Sequence, residues 1–97
     1  MNEKLILIVD DEKDIRNIIR YNLEKQGMRC ITASDGVNAL KKLEKNPDLI
    51  ILDIMMPAKD GYEVCKTIRD QGNTVPIIFL TAMDREFDEI KGLECGG

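Results

Sequence analysis

Leu5-Ile6-Leu7-Ile8-Val9 is a run of five apolar residues that no polar side chain interrupts. A strand with one solvated face alternates apolar and polar side chains, so an unbroken run of leucine and β-branched residues is typical of a strand buried on both faces. Leu49-Ile50-Ile51-Leu52 and the segment from Val75 to Leu80 have the same character, the latter with Pro76 at its start, where a missing N–H matters least. The pattern predicts several strands of a parallel sheet.

Segments with helical periodicity separate these runs. Apolar residues from Ile15 to Leu23 recur at helical spacing, and Gly27 stands where a helix C′ residue is expected. We predict a shorter strand from Met28 to Ala33 and a second helix from Val37 to Leu43. The order β-α-β-α-β-α-β-α predicts a doubly wound α/β fold with right-handed crossovers and helices on both faces of the sheet. The remaining helices are predicted around Tyr62, Cys65 and Ile68, and around Phe87, Ile90 and Leu93.

The predicted helix ends carry recognisable capping residues. Ser34 or Asp35 can cap the second helix, and Asn46-Pro47 ends it. Asp60 with Glu63 three residues later resembles a capping box in which Asp replaces the usual Ser or Thr. We therefore expect the third helix to begin at Asp60 and to stop near Gly72, and Asp84 can cap the last one.

Length and composition favour one small globular domain over residues 1–97. The chain is 43% hydrophobic and 33% charged, with a net charge of −4 that argues against a nucleic-acid surface. It has no histidine, which removes the commonest general base and means that it cannot itself carry a phosphohistidine. The first apolar run is too short for a signal sequence or a membrane span, so a cytoplasmic location is the expectation.

The three cysteines, Cys30, Cys65 and Cys95, are few and widely spaced. Neither a disulfide framework nor a zinc site is suggested by an odd number without a CxxC pair. We expect free cysteines that serve as small hydrophobes in a reducing compartment.

Carboxylates follow two of the predicted strands directly. Asp10 and Asp11 come after the first strand and Asp53 after the third, while Thr81 follows the fourth. Because ligands of such sheets bind outside the carboxyl ends of the strands, these side chains converge if strands 1 and 3 are neighbours. Gathered carboxylates repel one another unless a cation is bound or protons are taken up, and this oxygen donor set favours Mg²⁺ as the cation. The simpler alternative is an acidic helix start for Asp10 and Asp11.

A carboxylate beside Mg²⁺ can act as a nucleophile toward a phosphoryl group and form an aspartyl phosphate. Asp53 is the candidate nucleophile because an acid at the end of a buried strand needs a partner, and no basic residue is near it in sequence. The Thr81 hydroxyl could donate a hydrogen bond to a phosphoryl oxygen, and Ala82 beside it leaves room for the group.

Several motifs together resemble the receiver domains of bacterial response regulators. They are the acidic start Ile8-Val9-Asp10-Asp11-Glu12, the segment from Asp48 to Pro57 with its Leu-Asp-Ile-Met-Met-Pro sequence, Asp60-Gly61, and Phe79-Leu80-Thr81-Ala82. The resemblance extends from residue 4 to the end of the chain, and the combination is highly specific at these separations.

The resemblance implies a flavodoxin-like fold with strand order 2-1-3-4-5. It implies that Asp53 is the phosphoacceptor, that Asp10 and Asp11 bind Mg²⁺ together with the backbone carbonyl of Met55, and that Thr81 is the switch hydroxyl. The phosphoryl donor would be a phosphohistidine of a sensor histidine kinase, and the surface of strand 4 and helix 4 would change on phosphorylation. A DNA-binding effector domain outside this chain is a further implication of the resemblance.

The chain departs from the family pattern at its C-terminal side. Only a (βα)4 part of the (βα)5 pattern is present, without strand 5, helix 5 and the lysine that ends strand 5 in the family, and Lys91 is not a substitute. We expect weakened signalling, and we expect the exposed edge of strand 4 to favour a dimer or a strand-swapped oligomer.

Two other functions compete with a signalling module that assists only its own phosphorylation and dephosphorylation. A Mg²⁺-dependent phosphohydrolase with an aspartyl-phosphate intermediate usually has a second Asp two residues after the nucleophile, where this chain has Met55. A flavodoxin-like cofactor binder needs a phosphate-binding loop after strand 1, where Asp10, Asp11 and Glu12 would repel a phosphate.

Overall fold

The computed structural model describes residues 3–54, 56 and 60–80. Strands and helices alternate along this part of the chain, as the sequence predicts, and a short 3₁₀ turn follows the second helix. The strands are β1 (Leu5–Val9), β2 (Arg29–Ala33), β3 (Leu49–Asp53) and β4 (Ile77–Leu80), and the helices are α1 (Lys13–Lys25), α2 (Gly36–Lys42) and α3 (Gly61–Asp70). The predicted fourth helix, with Asp84, Phe87, Ile90 and Leu93, lies outside the described residues.

The four strands form one parallel sheet in the order β2-β1-β3-β4. β1 lies inside the sheet, and all five of its residues are buried, as its unbroken apolar run predicts. The doubly wound α/β prediction is confirmed. No helix in the described ranges is long and apolar enough to cross a membrane.

The helix caps predicted at the starts of α2 and α3 are present. Asp35, not Ser34, caps α2, with its carboxylate accepting a 2.8 Å hydrogen bond from the backbone N–H of Asn38. Asp60 and Glu63 form the reciprocal capping box of α3. Gly27 has φ +88°, the left-handed conformation that ends α1 at the lowest steric cost.

The main core lies on one face of the sheet, where α2 and α3 contact each other and α2 contacts β1 and β2. Alternate residues of the inner strands point into it, as the two-residue period of a strand requires. Its members are Leu7, Val9, Ala33, Ala39, Leu43, Ile50, Leu52, Met56, Val64, Cys65, Ile68, Val75 and Ile77.

The opposite face is only partly covered within the described residues. α1 packs on β1 and β2, and Ile6 and Ile8 are buried there. Ile51 of β3 is only half-buried, and Ile78 of β4 is 53% exposed. The sequence predicted coverage of both faces, and among the described elements α1 alone provides it on this side.

The expectation of three free cysteines is wrong for Cys65. This residue lies on the inward face of α3, fully buried, and is disulfide-bonded, whereas Cys30 is free. Rules based on spacing along the chain detect cysteine-rich frameworks, and they miss a single pairing that the fold brings about. Cys95 lies outside the described residues.

Candidate metal and phosphoacceptor site

The register of β1 and β3 brings the acidic residues to one place. Val9 lies opposite Leu52 in the parallel pair, so Asp10 and Asp53, one position further on each strand, are neighbours at the carboxyl edge of the sheet. Parallel pairing produces this arrangement because it brings equivalent strand ends to the same edge.

Asp10, Asp11 and Asp53 form a cluster in which one carboxylate oxygen from each residue lies within 4.8 Å of the others. Asp10 is buried at 5% exposure, Asp53 is half-buried, and Asp11 is exposed. The expectation that the three side chains converge is confirmed. Met55 and Thr81, the other predicted site residues, lie outside the described residues.

Asp10 is the most deeply buried of the three carboxylates, which disfavours its charged form. Burial raises the pKa of its carboxyl group, and the neighbouring Asp11 charge raises it further. A hydrogen bond of 2.8 Å from the backbone N–H of Glu12 to Asp10 Oδ1 acts in the opposite direction, as does the charge of Arg16. Burial is the largest of these effects, so the ionised form of Asp10 is destabilised in the protein alone.

The donor set of the cluster fits a hard divalent cation. It consists of carboxylate oxygens, without nitrogen or sulfur donors among the three residues. Mg²⁺ is bound in proteins by one or two carboxylates together with water and substrate oxygens, and three carboxylates of graded exposure leave room for both. A cation there would also offset the repulsion that raises the pKa of Asp10.

Gly61 is a site residue that sequence reasoning missed, since it had no role there beyond a helix start. A Cβ atom at this position would lie 2.4 Å from the backbone oxygen of Asp53 and 2.9 Å from Cα of Ile54. The Gly61 N–H donates a 3.0 Å hydrogen bond to the Ile54 carbonyl. The start of α3 therefore packs directly on the backbone that carries Asp53, and only glycine permits this approach.

Arg16 of α1 is the second residue that was missed. Its Nη1 donates a 2.7 Å hydrogen bond to the backbone carbonyl of Asp10 and so links α1 to the end of β1. The signal available in the sequence was an arginine among the isoleucines of α1, six residues after Asp10, and such a residue is more often a solvated helix side chain.

Known proteins share both the sequence and the fold. The chain is 57% identical over 97 residues to the alkaline phosphatase synthesis transcriptional regulatory protein PhoP of Bacillus subtilis (strain 168), covering 99% of this chain and 40% of that relative. It therefore spans less than half of that relative's length.

Solved structures agree with this relationship. Chemotaxis protein CheY4 of Vibrio cholerae superimposes with a TM-score of 0.92 at 33% identity, covering 99% of this chain and 82% of that one. The BeF3-activated N-terminal receiver domain of Klebsiella pneumoniae RstA superimposes with a TM-score of 0.89 at 34% identity, covering 97% and 80%. Residues 6–97 match the response regulator receiver domain family. The chain therefore belongs to the family of response regulator receiver domains.

Proposed function

We propose that Asp53 accepts a phosphoryl group from a phosphohistidine of a sensor kinase, with Mg²⁺ bound by Asp10, Asp11, Asp53 and the Met55 carbonyl. The observation that carries the proposal is the three-carboxylate cluster at the ends of β1 and β3. Asp53 is the proposed nucleophile because it is half-buried at the end of an inner strand and the start of α3 fixes its backbone.

The transfer makes one bond and breaks one. An Asp53 carboxylate oxygen forms the O–P bond as the P–N bond breaks, and the released imidazole keeps the electron pair and takes up a proton. Asp10 and Asp11 would hold Mg²⁺, which would supply positive charge that offsets the negative charge of the phosphoryl oxygens. Arg16 holds the Asp10 backbone in place through its 2.7 Å contact.

The consequences of phosphorylation belong to the same proposal. Thr81 would donate a hydrogen bond to the phosphoryl group, and the surface of β4 and the following helix would shift between two pre-existing states. PhoP of Bacillus subtilis is named a transcriptional regulatory protein, and this chain spans 40% of it. We propose that an output domain outside this sequence, of the DNA-binding kind, receives the signal.

Self-association through β4 is a further part of the proposal. Within the described sheet β4 pairs with β3 along one edge only, and Ile78 exposes 53% of its surface. A strand edge that no described strand pairs with, next to an exposed apolar side chain, favours pairing with a second copy.

The proposed function is tested by incubating the protein with Mg²⁺ and acetyl phosphate and measuring the intact mass. We expect a gain of one phosphoryl group, its loss in Asp53→Asn, and its absence when EDTA removes the metal. Asp14→Asn is the matched control, because Asp14 is an exposed acid of α1 outside the cluster. Equal mass gain in Asp53→Asn and the parent protein would refute the assignment.

Thr81→Ala should still be phosphorylated.

A further inference from the structure

A second polar site lies beside the acidic cluster, in an open cleft at the carboxyl end of the edge strand β2. Its volume is about 300 Å³, at the lower end of the range for small-molecule sites and far above the space that one water needs. Residues from α1, from the end of β2 and from α2 line it: Arg16, Thr32, Ala33, Ser34, Asn38 and Lys42.

The lining has the chemistry of an anion site. Arg16 and Lys42 contribute two positive charges, Thr32 and Ser34 contribute hydroxyls, and no lining residue is acidic. The cations come from helices on opposite faces of the sheet, so the end of β2 brings them together. A guanidinium, an ammonium and hydroxyl donors are the groups that bind phosphate oxygens.

Arg16 and Lys42 do not form the described salt bridge, which joins Lys66 and Asp70 on α3. The charge of Arg16 does act on the nearby Asp10 carboxyl, without a salt bridge between the two side chains. Arg16 uses Nη1 for the Asp10 carbonyl, and the guanidinium retains further N–H donors. The nearby Asp35 carboxylate is engaged with the backbone and side chain of Asn38 at 2.8 and 3.4 Å.

The position of Lys42 can also be explained without a ligand. It lies in the last turn of α2, where a positive charge interacts favourably with the helix dipole. Lys41 lies in the same turn, carries the same charge and does not line the cleft. Substituting each lysine in turn therefore distinguishes the two explanations. Both lysines interact with the helix dipole, but only Lys42 lies where it can contact a ligand in the cleft.

We propose that this cleft binds a small metabolite with a phosphate or similar oxyanion group, held between Arg16 and Lys42 and by the hydroxyls of Thr32 and Ser34. Arg16 then contacts the anion and the Asp10 carbonyl at the same time. Occupancy of the cleft is transmitted to the acidic edge of the sheet through this one side chain.

The test is a titration of the protein followed by backbone amide NMR shifts, with EDTA present and ionic strength held constant with NaCl. The probes are inorganic phosphate and glycerol 3-phosphate. We expect saturable shifts at Ser34, Asn38 and Lys42, with tighter binding of glycerol 3-phosphate if the organic part also occupies the cleft. Lys42→Gln should weaken the affinity about tenfold or more, and Lys41→Gln should change it less than about twofold.

Shifts that stay linear with phosphate concentration would overturn the proposal, and so would equal weakening by Lys41→Gln and Lys42→Gln. Both substitutions remove a charge from the same helix turn, where Lys41 is exposed and Lys42 is half-buried. Unchanged amide shifts elsewhere show that each variant is folded. EDTA keeps the acidic cluster free of metal, so its negative charge prevents the anionic probes from binding there instead of in the cleft. Failure of this test leaves the phosphorylation of Asp53 untouched.

Discussion

Asp10 is the buried charged residue among those that the structure describes, and its surroundings favour the protonated form. A carboxyl group whose pKa is raised by folding binds its proton more tightly in the folded state than in the unfolded state. The free energy of unfolding therefore falls as the pH rises from the ordinary Asp pKa through the raised one, and the loss persists at neutral pH. A bound cation would restore the lost free energy of unfolding, because it stabilises the ionised carboxylate of Asp10.

Asp10→Asn should consequently change stability in opposite directions with and without metal. In EDTA at neutral pH we expect its free energy of unfolding to exceed that of the parent protein by on the order of 1 kcal/mol, since a buried charge is removed and an amide oxygen can still accept the Glu12 N–H. With Mg²⁺ only the parent should gain stability. Urea denaturation measures both, with Asp14→Asn as control. Destabilisation of Asp10→Asn in EDTA with full Mg²⁺ stabilisation would contradict the account.

Gly61 is the residue whose substitution should disturb the backbone of Asp53 most directly. Gly61→Ala places a Cβ atom against the backbone of Asp53 and Ile54, closer than real Cβ atoms approach, so that something must shift. We expect a loss of about 1–3 kcal/mol in urea denaturation together with slower phosphorylation. Gly72→Ala is the comparison, because its Cβ meets nothing within 4 Å and only its φ of +80° is unfavourable. Equal phosphorylation rates for the two variants would argue against the packing role of Gly61.

At the scale of single elements, the capping box fixes where α3 begins and so where Gly61 meets β3. Glu63 N–H donates to Asp60 Oδ1 at 3.0 Å, and Asp60 N–H donates to Glu63 Oε1 at 3.4 Å. Asp60→Ala should cost about 1 kcal/mol of unfolding free energy, and Asp60→Asn considerably less, because Asn caps helices nearly as well. Thermal or urea unfolding of both variants checks this. An equal loss in the two would show that the side-chain cap contributes little.

The elements that the sequence predicted well are those with a local signal. Apolar runs identified β1, β3 and β4, and the cap at Asp60 and the glycine at position 27 mark real helix ends. The convergence of Asp10 with Asp53 required only the assumption that strands 1 and 3 are neighbours. The strands and the helix ends thus follow from signals within one segment, and the convergence follows from the order of the strands.

Contacts between distant segments were not predictable in this way. Asp48 Oδ2 accepts a 2.8 Å hydrogen bond from the backbone N–H of Leu5, 43 residues away, and nothing in the spacing of either residue indicates it. The partial cover over Ile51 depends on which helix packs where, and an apolar run does not encode that.

At the scale of the whole molecule, the exposed part of β4 should determine how the 97-residue chain associates. We expect sedimentation velocity to show a concentration-dependent dimer, which Ile78→Thr weakens about tenfold by removing an apolar side chain from the partly covered sheet face beside the β4 edge. Val37→Thr is the matched control, since Val37 is 57% exposed but lies on α2. A monomer at all concentrations, or equal effects of the two substitutions, would refute association through β4.

The central claim is that the carboxylate cluster directs a phosphoryl group to Asp53. The most direct measurement is to phosphorylate the protein in Mg²⁺, reduce the acyl phosphate with borohydride, and locate the reduced residue by peptide mass spectrometry. The account predicts a single modified residue at Asp53, with Asp10 and Asp11 unmodified and no product in EDTA. Modification at Asp10 or Asp11, or at Asp53 to the same extent without a divalent cation, would contradict it.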